Sequence, residues 1–225
     1  MGGFLHLNPF RLAGDLVHLA SFLIIFWKVV RVKSPGGISL KSQELYAIVF
    51  ITRYLDIFYN FASIYNYVMK LIFLGASGAI VYIMRVRHGS HYDRTQEKLE
   101  TWYFLVPCFV LALIINHRFT VTEVLWTFSI YLEAVAIVPQ LFLLQATGEA
   151  ENLTADYVFC LGAYRALYLG NWIYRYITED KYSSQWIVWI SGIIQTIIYC
   201  DFFYYYAKSR LRGEKMRLPT MSAAV

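Results

Sequence analysis

Apolar residues run along this chain in long blocks separated by short polar stretches. Seven blocks read as helices, at about residues 8–30, 44–62, 67–84, 102–116, 121–145, 155–178 and 185–207, most of them long enough to cross a bilayer. Asn8-Pro9 has the form of an N-cap followed by a first-turn proline, Ser34-Pro35-Gly36-Gly37 that of a turn, and Pro107 that of a kink in the fourth block. The longest polar link, His88 to Glu100, divides the chain into two halves. Laying the second block over the sixth aligns Phe50-Ile51-Thr52-Arg53-Tyr54-Leu55 with Gly162-Ala163-Tyr164-Arg165-Ala166-Leu167, so that Arg53 coincides with Arg165. The pattern predicts an all-α membrane protein of seven transmembrane helices in a single domain. Two parallel three-helix repeats, about 8–86 and 121–207, flank a linker helix at about 102–116, and a tail follows over 208–225.

The polar residues inside these blocks carry the chemistry. In the sixth, Tyr164, Arg165, Tyr168, Trp172 and Arg175 fall within an arc of about 100° on one helix face. An arginine near mid-bilayer costs at least about 2.5–3.5 kcal/mol, so this face must look into a polar cavity. Two readings follow: internal carboxylates neutralise the arginines and hold the bundle together, or the cavity receives an anionic ligand. The planar guanidinium fork fits a carboxylate in two places at once, which points to a ligand bearing carboxylates. Arg11, Asp15 and His18 share a face of the first block, Arg53, Asp56 and Asn60 a face of the second, and the fifth carries Glu123, Trp126, Glu133, Pro139 and Gln140.

Composition agrees with a membrane location: 58% of the 225 residues are hydrophobic and 16% charged, with a mean hydropathy of +0.46. The net charge of +5 does not indicate nucleic acid, because the cations cluster in short links between apolar blocks. Twelve Lys and Arg fall on the tail's side of the bundle and three on the other, which predicts a cytosolic C-terminus and a lumenal N-terminus. No cleavable leader is evident. The Asn152-Leu153-Thr154 sequon would then lie on the cytosolic side and stay unmodified. Cys108, Cys160 and Cys200 sit in apolar runs without metal or disulfide spacing, and no nucleophile motif or metal site is present. The expectation is a non-enzyme without cofactor or metal.

Asn-Pro-Phe-Arg-Leu at 8–12 with Gly-Asp-Leu at 14–16 and His18, Thr-Arg-Tyr-Leu-Asp at 52–56, Trp-Thr-Phe-Ser-Ile-Tyr-Leu-Glu at 126–133, Val-Pro-Gln-Leu at 138–141, Tyr-Arg-Ala-Leu-Tyr at 164–168, Asn-Trp-Ile-Tyr-Arg at 171–175 and Tyr-Cys-Asp-Phe-Phe-Tyr at 199–204 closely resemble the KDEL/HDEL receptors. The resemblance covers almost the whole chain, and the turn at 178–181 looks most like fungal members. It implies a SWEET-like, PQ-loop architecture. It also implies a receptor that binds the C-terminal tetrapeptide of escaped endoplasmic-reticulum proteins in the acidic Golgi. The receptor would return them in COPI vesicles, moving among Golgi, vesicle and reticulum membranes.

By this resemblance Arg53, Tyr54 and Arg165 take the terminal carboxylate, Arg175 the aspartate and Arg11 the glutamate. Glu123 and Trp126 suit a cationic first residue. Tyr164, Tyr168 and Trp172 form walls, and Asn60 stands where animal members have a smaller hydroxyl residue. His18 would be the pH switch, coupled through Glu133 and Tyr164, since free imidazole titrates near about pH 6.5. Asp201 and the tail would carry the return signal, with coat contacts at Lys208, Arg212 and Lys215. Here the family's lysine-rich run is replaced by Leu211-Arg212-Gly213-Glu214-Lys215-Met216-Arg217-Leu218-Pro219. The rival expectation is a SWEET-like transporter, against which stands the charge, because a neutral sugar needs no intramembrane arginines.

Overall fold

The computed structural model describes residues 8–32, 36–59, 63–87, 97–179 and 185–219. Half of the predicted turn at 34–37 and most of the link at 88–100 lie outside them. Helix α1 spans Pro9–Trp27, and the Asn8 side chain accepts from the Arg11 N–H at 2.8 Å, as the Asn8-Pro9 pair predicts. Its last turn widens to π geometry over Lys28–Val32. Helix α2 covers Leu40–Arg53 and starts four residues earlier than the apolar pattern alone suggests. The reason is local: Gly37, at φ 75°, turns the chain, and Ser39 then caps the helix by accepting from the Ser42 N–H. The helix stops at Arg53 and tightens into a 3-10 turn, Tyr54–Phe58, well short of the expected 62.

Helices α3, Ile64–Tyr82, and α4, Trp102–Ile114, follow, with Pro107 inside α4. The fifth block is two helices, α5 (Val121–Val135) and α6 (Val138–Thr147). Pro139 explains the break, since it has no N–H to give and its ring clashes with the carbonyl four residues back, at Val135. Helix α7 spans Asn152–Thr178 and α8 Trp186–Arg212. Helix α8 therefore runs five residues past the expected 207, so the boundary placed at 208 falls within it. Gly213 ends it at φ 66°, and Met216–Arg217 (β2) then pairs antiparallel with Glu149–Ala150 (β1). Met216 is buried, so this part of the tail belongs to the folded body.

Helix α1 packs along α7 and α2 along α5; α3 lies against α1 and α2, α8 against α5 and α7, and α4 against α5. Gly162 lets α7 and α8 approach, because a Cβ there would meet Phe203 at 2.5 Å and Tyr199 at 2.8 Å. Ile25, Val29, Leu45, Val49, Ile80, Met84, Leu132 and Val158 form a dry centre. Leu16, Leu23, Phe26, Ile51, Val106, Ile190 and Ile197 are exposed, as lipid-facing residues are. Pro9–Arg31, Ile64–Arg87, Val121–Thr147 and Trp186–Arg212 are long and apolar enough to span a membrane. Helix α2 has only 14 residues and the 27 of α7 are less apolar; both are the helices that carry the site's arginines.

Candidate functional site

A polar cavity of about 580 Å³ lies between α1, α2, α3, α5, α7 and α8. All five residues of the α7 face, Tyr164, Arg165, Tyr168, Trp172 and Arg175, line it, together with His18, Arg53, Tyr54, Trp126 and Glu133. It opens at the end of the bundle where α5 and α8 begin and α2 and α7 finish.

At its deep end one buried carboxylate serves two guanidinium groups. Glu133 accepts from Arg53 Nη1 at 2.6 Å, from Tyr164 Oη at 2.7 Å and from Arg165 Nη2. Arg53 also donates through Nε to Ser129 Oγ at 3.1 Å and through Nη2 to the Ser129 carbonyl at 3.0 Å. Arg165 Nε donates to Gln195 on α8. Two cations against one anion leave a surplus positive charge in a desolvated place, which favours an added anion. Helix packing arranges this: α2 and α7 each bring an arginine to the same glutamate of α5.

His18 sits beside this cluster. Its ring stacks on Tyr164 with centroids 3.9 Å apart and planes 9° from parallel, and on Phe73 at 4.5 Å. Its Nε2 is buried and has no hydrogen-bond partner among the described residues. Tyr164 thus touches both His18 and Glu133. Asp15, which shares the α1 face with His18, accepts from Tyr65 Oη at 2.7 Å and from Tyr168 Oη. Arg11 lies outside this cavity's lining and donates to Asn66 Oδ1 at 2.9 Å.

Toward the opening, Arg175 forms a two-pronged pair with Glu179, both contacts at 2.9 Å. Trp172 and Trp189 stand beside it with centroids 6.5 Å apart, and Gly192 leaves the room Trp172 needs, since a Cβ there would meet its ring at 2.6 Å. Glu123 is not in this cavity. It lines an adjoining one of about 460 Å³ that shares Arg53, Tyr54, Trp126 and Gln185 with the first. There Lys70 Nζ lies 2.6 Å from Asp56 Oδ2. Asn60 lies outside the described residues.

Asp201 lines a separate small cavity of about 120 Å³ with Leu218 and Pro219. Lys208, Arg212, Gly213, Glu214 and Lys215 are exposed, Lys208 with its ammonium 5.9 Å from the Tyr204 ring centre. None of these joins the main cavity. Sequence reasoning missed Glu179, Gln195, Ser129 and Trp189. The first was legible as an i,i+4 partner of Arg175. The other three are ordinary residues until α5 and α8 are packed on the site.

Both arginines of α7 thus have internal carboxylate partners, one buried and shared, the other part-exposed. Residues 34–175 match the family model described as ER lumen protein retaining receptor. The chain is 56% identical to ER lumen protein-retaining receptor B of Arabidopsis thaliana, over 95% of this chain and 100% of that protein. It is 53% identical to the ER lumen protein-retaining receptor of Drosophila melanogaster, again over 95% of this chain and 100% of the relative. Identity to ER lumen protein-retaining receptor 2 of Danio rerio is 49% with the same coverage.

Proposed function

Because the chain belongs to the ER lumen protein retaining receptor family, we propose that it retains proteins of the reticulum lumen by binding their C-terminal HDEL- or KDEL-type tetrapeptide in the arginine-lined cavity. The observation that carries this reading is the charge at the deep end, where Arg53 and Arg165 share the single carboxylate of Glu133. A tetrapeptide ending in Asp-Glu-Leu brings three carboxylates, and the cavity's volume suits a small ligand held on most sides.

In this reading the terminal carboxylate enters between Arg53 and Arg165 beside Tyr54, the aspartate meets Arg175, and the glutamate reaches toward Arg11. Glu123 and Trp126, in the adjoining cavity, receive the cationic first residue, and Tyr168 and Trp172 close the sides. His18 tunes binding with pH: protonation would add a positive charge next to Tyr164, with Glu133, Arg53 and Arg165 just beyond it. The receptor would load in the Golgi, expose the end of α8 and the tail, including Asp201, Lys208, Arg212 and Lys215, to COPI coat, and unload in the reticulum.

Seven membrane crossings in two parallel repeats fit the packing. Pairing α1 with α5, α2 with α7 and α3 with α8 turns each contact of one set into a contact of the other: α1 on α3 becomes α5 on α8, and α1 on α7 becomes α5 on α2. Arg53 and Arg165 are equivalent under the same pairing. The cavity opens on the cation-poor side, which would face the lumen.

The test is binding of a labelled peptide ending in HDEL to the purified protein at about pH 5.5–6 and about pH 7.4, values that straddle free imidazole. Binding at acid pH that weakens at neutral pH and disappears when the peptide is C-terminally amidated is the expected result. Equal binding of the amidated peptide would remove the carboxylate-reading site.

A further inference from the structure

Arg175 is held before any ligand arrives. Glu179, one turn further along α7, takes its Nε and Nη2 with both carboxylate oxygens, each at 2.9 Å, and both side chains line the cavity. This is the two-pronged geometry that an incoming carboxylate would itself use. The stability of α7 does not account for the glutamate. Glu179 is the C-cap residue, where the negative end of the helix disfavours a carboxylate, and a base four residues before an acid is the weaker order for such a pair.

The contrast with Glu133 is informative. Glu133 is 2% exposed and bound to two arginines and a tyrosine, so displacing it would strand buried charges. Glu179 is 26% exposed and Arg175 34%, so their pair can open into the cavity mouth at little desolvation cost.

We infer that Glu179 is an internal stand-in for the ligand's acidic side chain, a specificity-determining residue that occupies the Arg175 fork in the empty protein and must be displaced by the peptide's carboxylate. The inference rests on the reading of Arg175 as the clamp for the peptide aspartate. A neutral side chain gains nothing by approaching, because it cannot replace the carboxylate it would evict. An acidic one exchanges one ion pair for another, so the affinity gained from the acid is smaller than a vacant arginine would give.

The experiment is calorimetric titration of the full-length protein in detergent at about pH 6, where an imidazole is substantially protonated. The wild type and Glu179→Gln are each titrated with a peptide ending in HDEL and with one whose aspartate is replaced by asparagine. Glu179→Gln is expected to bind the HDEL peptide about two- to fivefold more tightly, the range a part-exposed ion pair is worth. Its binding of the asparagine peptide is expected to stay within about twofold. Unchanged or weaker HDEL binding, or an equal gain for both peptides, overturns the inference while leaving the receptor reading intact. Glu179→Ala must shift affinity in the same direction, which separates loss of the carboxylate from any effect of the introduced amide. Failure of the wild type to bind HDEL at all would instead remove the functional reading and this inference with it.

Discussion

The two ends of the bundle use similar polar residues to opposite effect. At the end away from the cavity, Gln140 accepts from the Ser39 N–H and donates to the Gly37 carbonyl, both at 2.8 Å, while Gln43 donates to Tyr157 Oη at 2.7 Å. Lys28, 1% exposed, donates to the Gly36 carbonyl at 2.8 Å and to Thr154 Oγ1 at 2.5 Å, and lies 2.8 Å from Glu151. The donors and acceptors of this group are matched within the protein. At the cavity end the Arg53, Arg165 and Glu133 cluster carries more cations than anions, and space is left beside it. Matched polar groups seal a bundle, whereas unmatched charge keeps a place for something that is not part of the chain.

The largest expected effect is on the stability of the deep cluster. Glu133→Ala leaves Arg53 and Arg165 without their shared carboxylate, and should lower unfolding stability by roughly 3–5 kcal/mol, measured by thermal denaturation in detergent. A shift small enough for a surface pair would mean that the cluster is not desolvated. Next is Arg175→Ala, which should weaken peptide binding by about 2 kcal/mol or more while changing stability by less than about 1 kcal/mol. Normal affinity in that variant would exclude the clamp.

Gln140→Ala probes the matched group at the other end. It leaves a buried N–H and a part-buried carbonyl without their partner, so stability should fall by roughly 1–3 kcal/mol with peptide affinity unchanged. A large loss of affinity would show that the two ends are coupled. The smallest effect concerns His18→Phe, which keeps a ring between Tyr164 and Phe73. The ratio of affinities at about pH 6 and about pH 7.4 should move toward one with little change in melting temperature. An unaltered ratio would place the proton elsewhere.

Much of this was legible in the chain. Asn8-Pro9 announces the start of α1, and the α7 arginines, three residues from Tyr168 and from Trp172, announce a polar face before any packing is known. The break at 136–137 was foreshadowed by Pro139, although the apolar pattern runs straight through it because side-chain hydropathy does not register a missing N–H. The extension of α8 to Arg212 was hidden for the complementary reason: its last turn is polar, yet still satisfies helical hydrogen bonds until Gly213. The pairing of Met216–Arg217 with Glu149–Ala150 had no local signal, since a two-residue ladder exists only when the ends of α6 and α8 are already adjacent.

By itself, then, the sequence determined that several apolar helices must surround arginines facing a common polar interior, because the cost of a charge in lipid depends on residue type and on position along a helix. Which arginines meet Glu133 was decided only by the tertiary structure. Glu133 binds Arg53, 80 positions away, and Arg165, 32 positions away. Those distances are closed by the packing of the helices, and packing also decided that Glu123 stands in a neighbouring cavity. Electrostatic pairing falls off within a few ångströms, so it depends on how helices sit against one another and not on the order in which the chain supplies them.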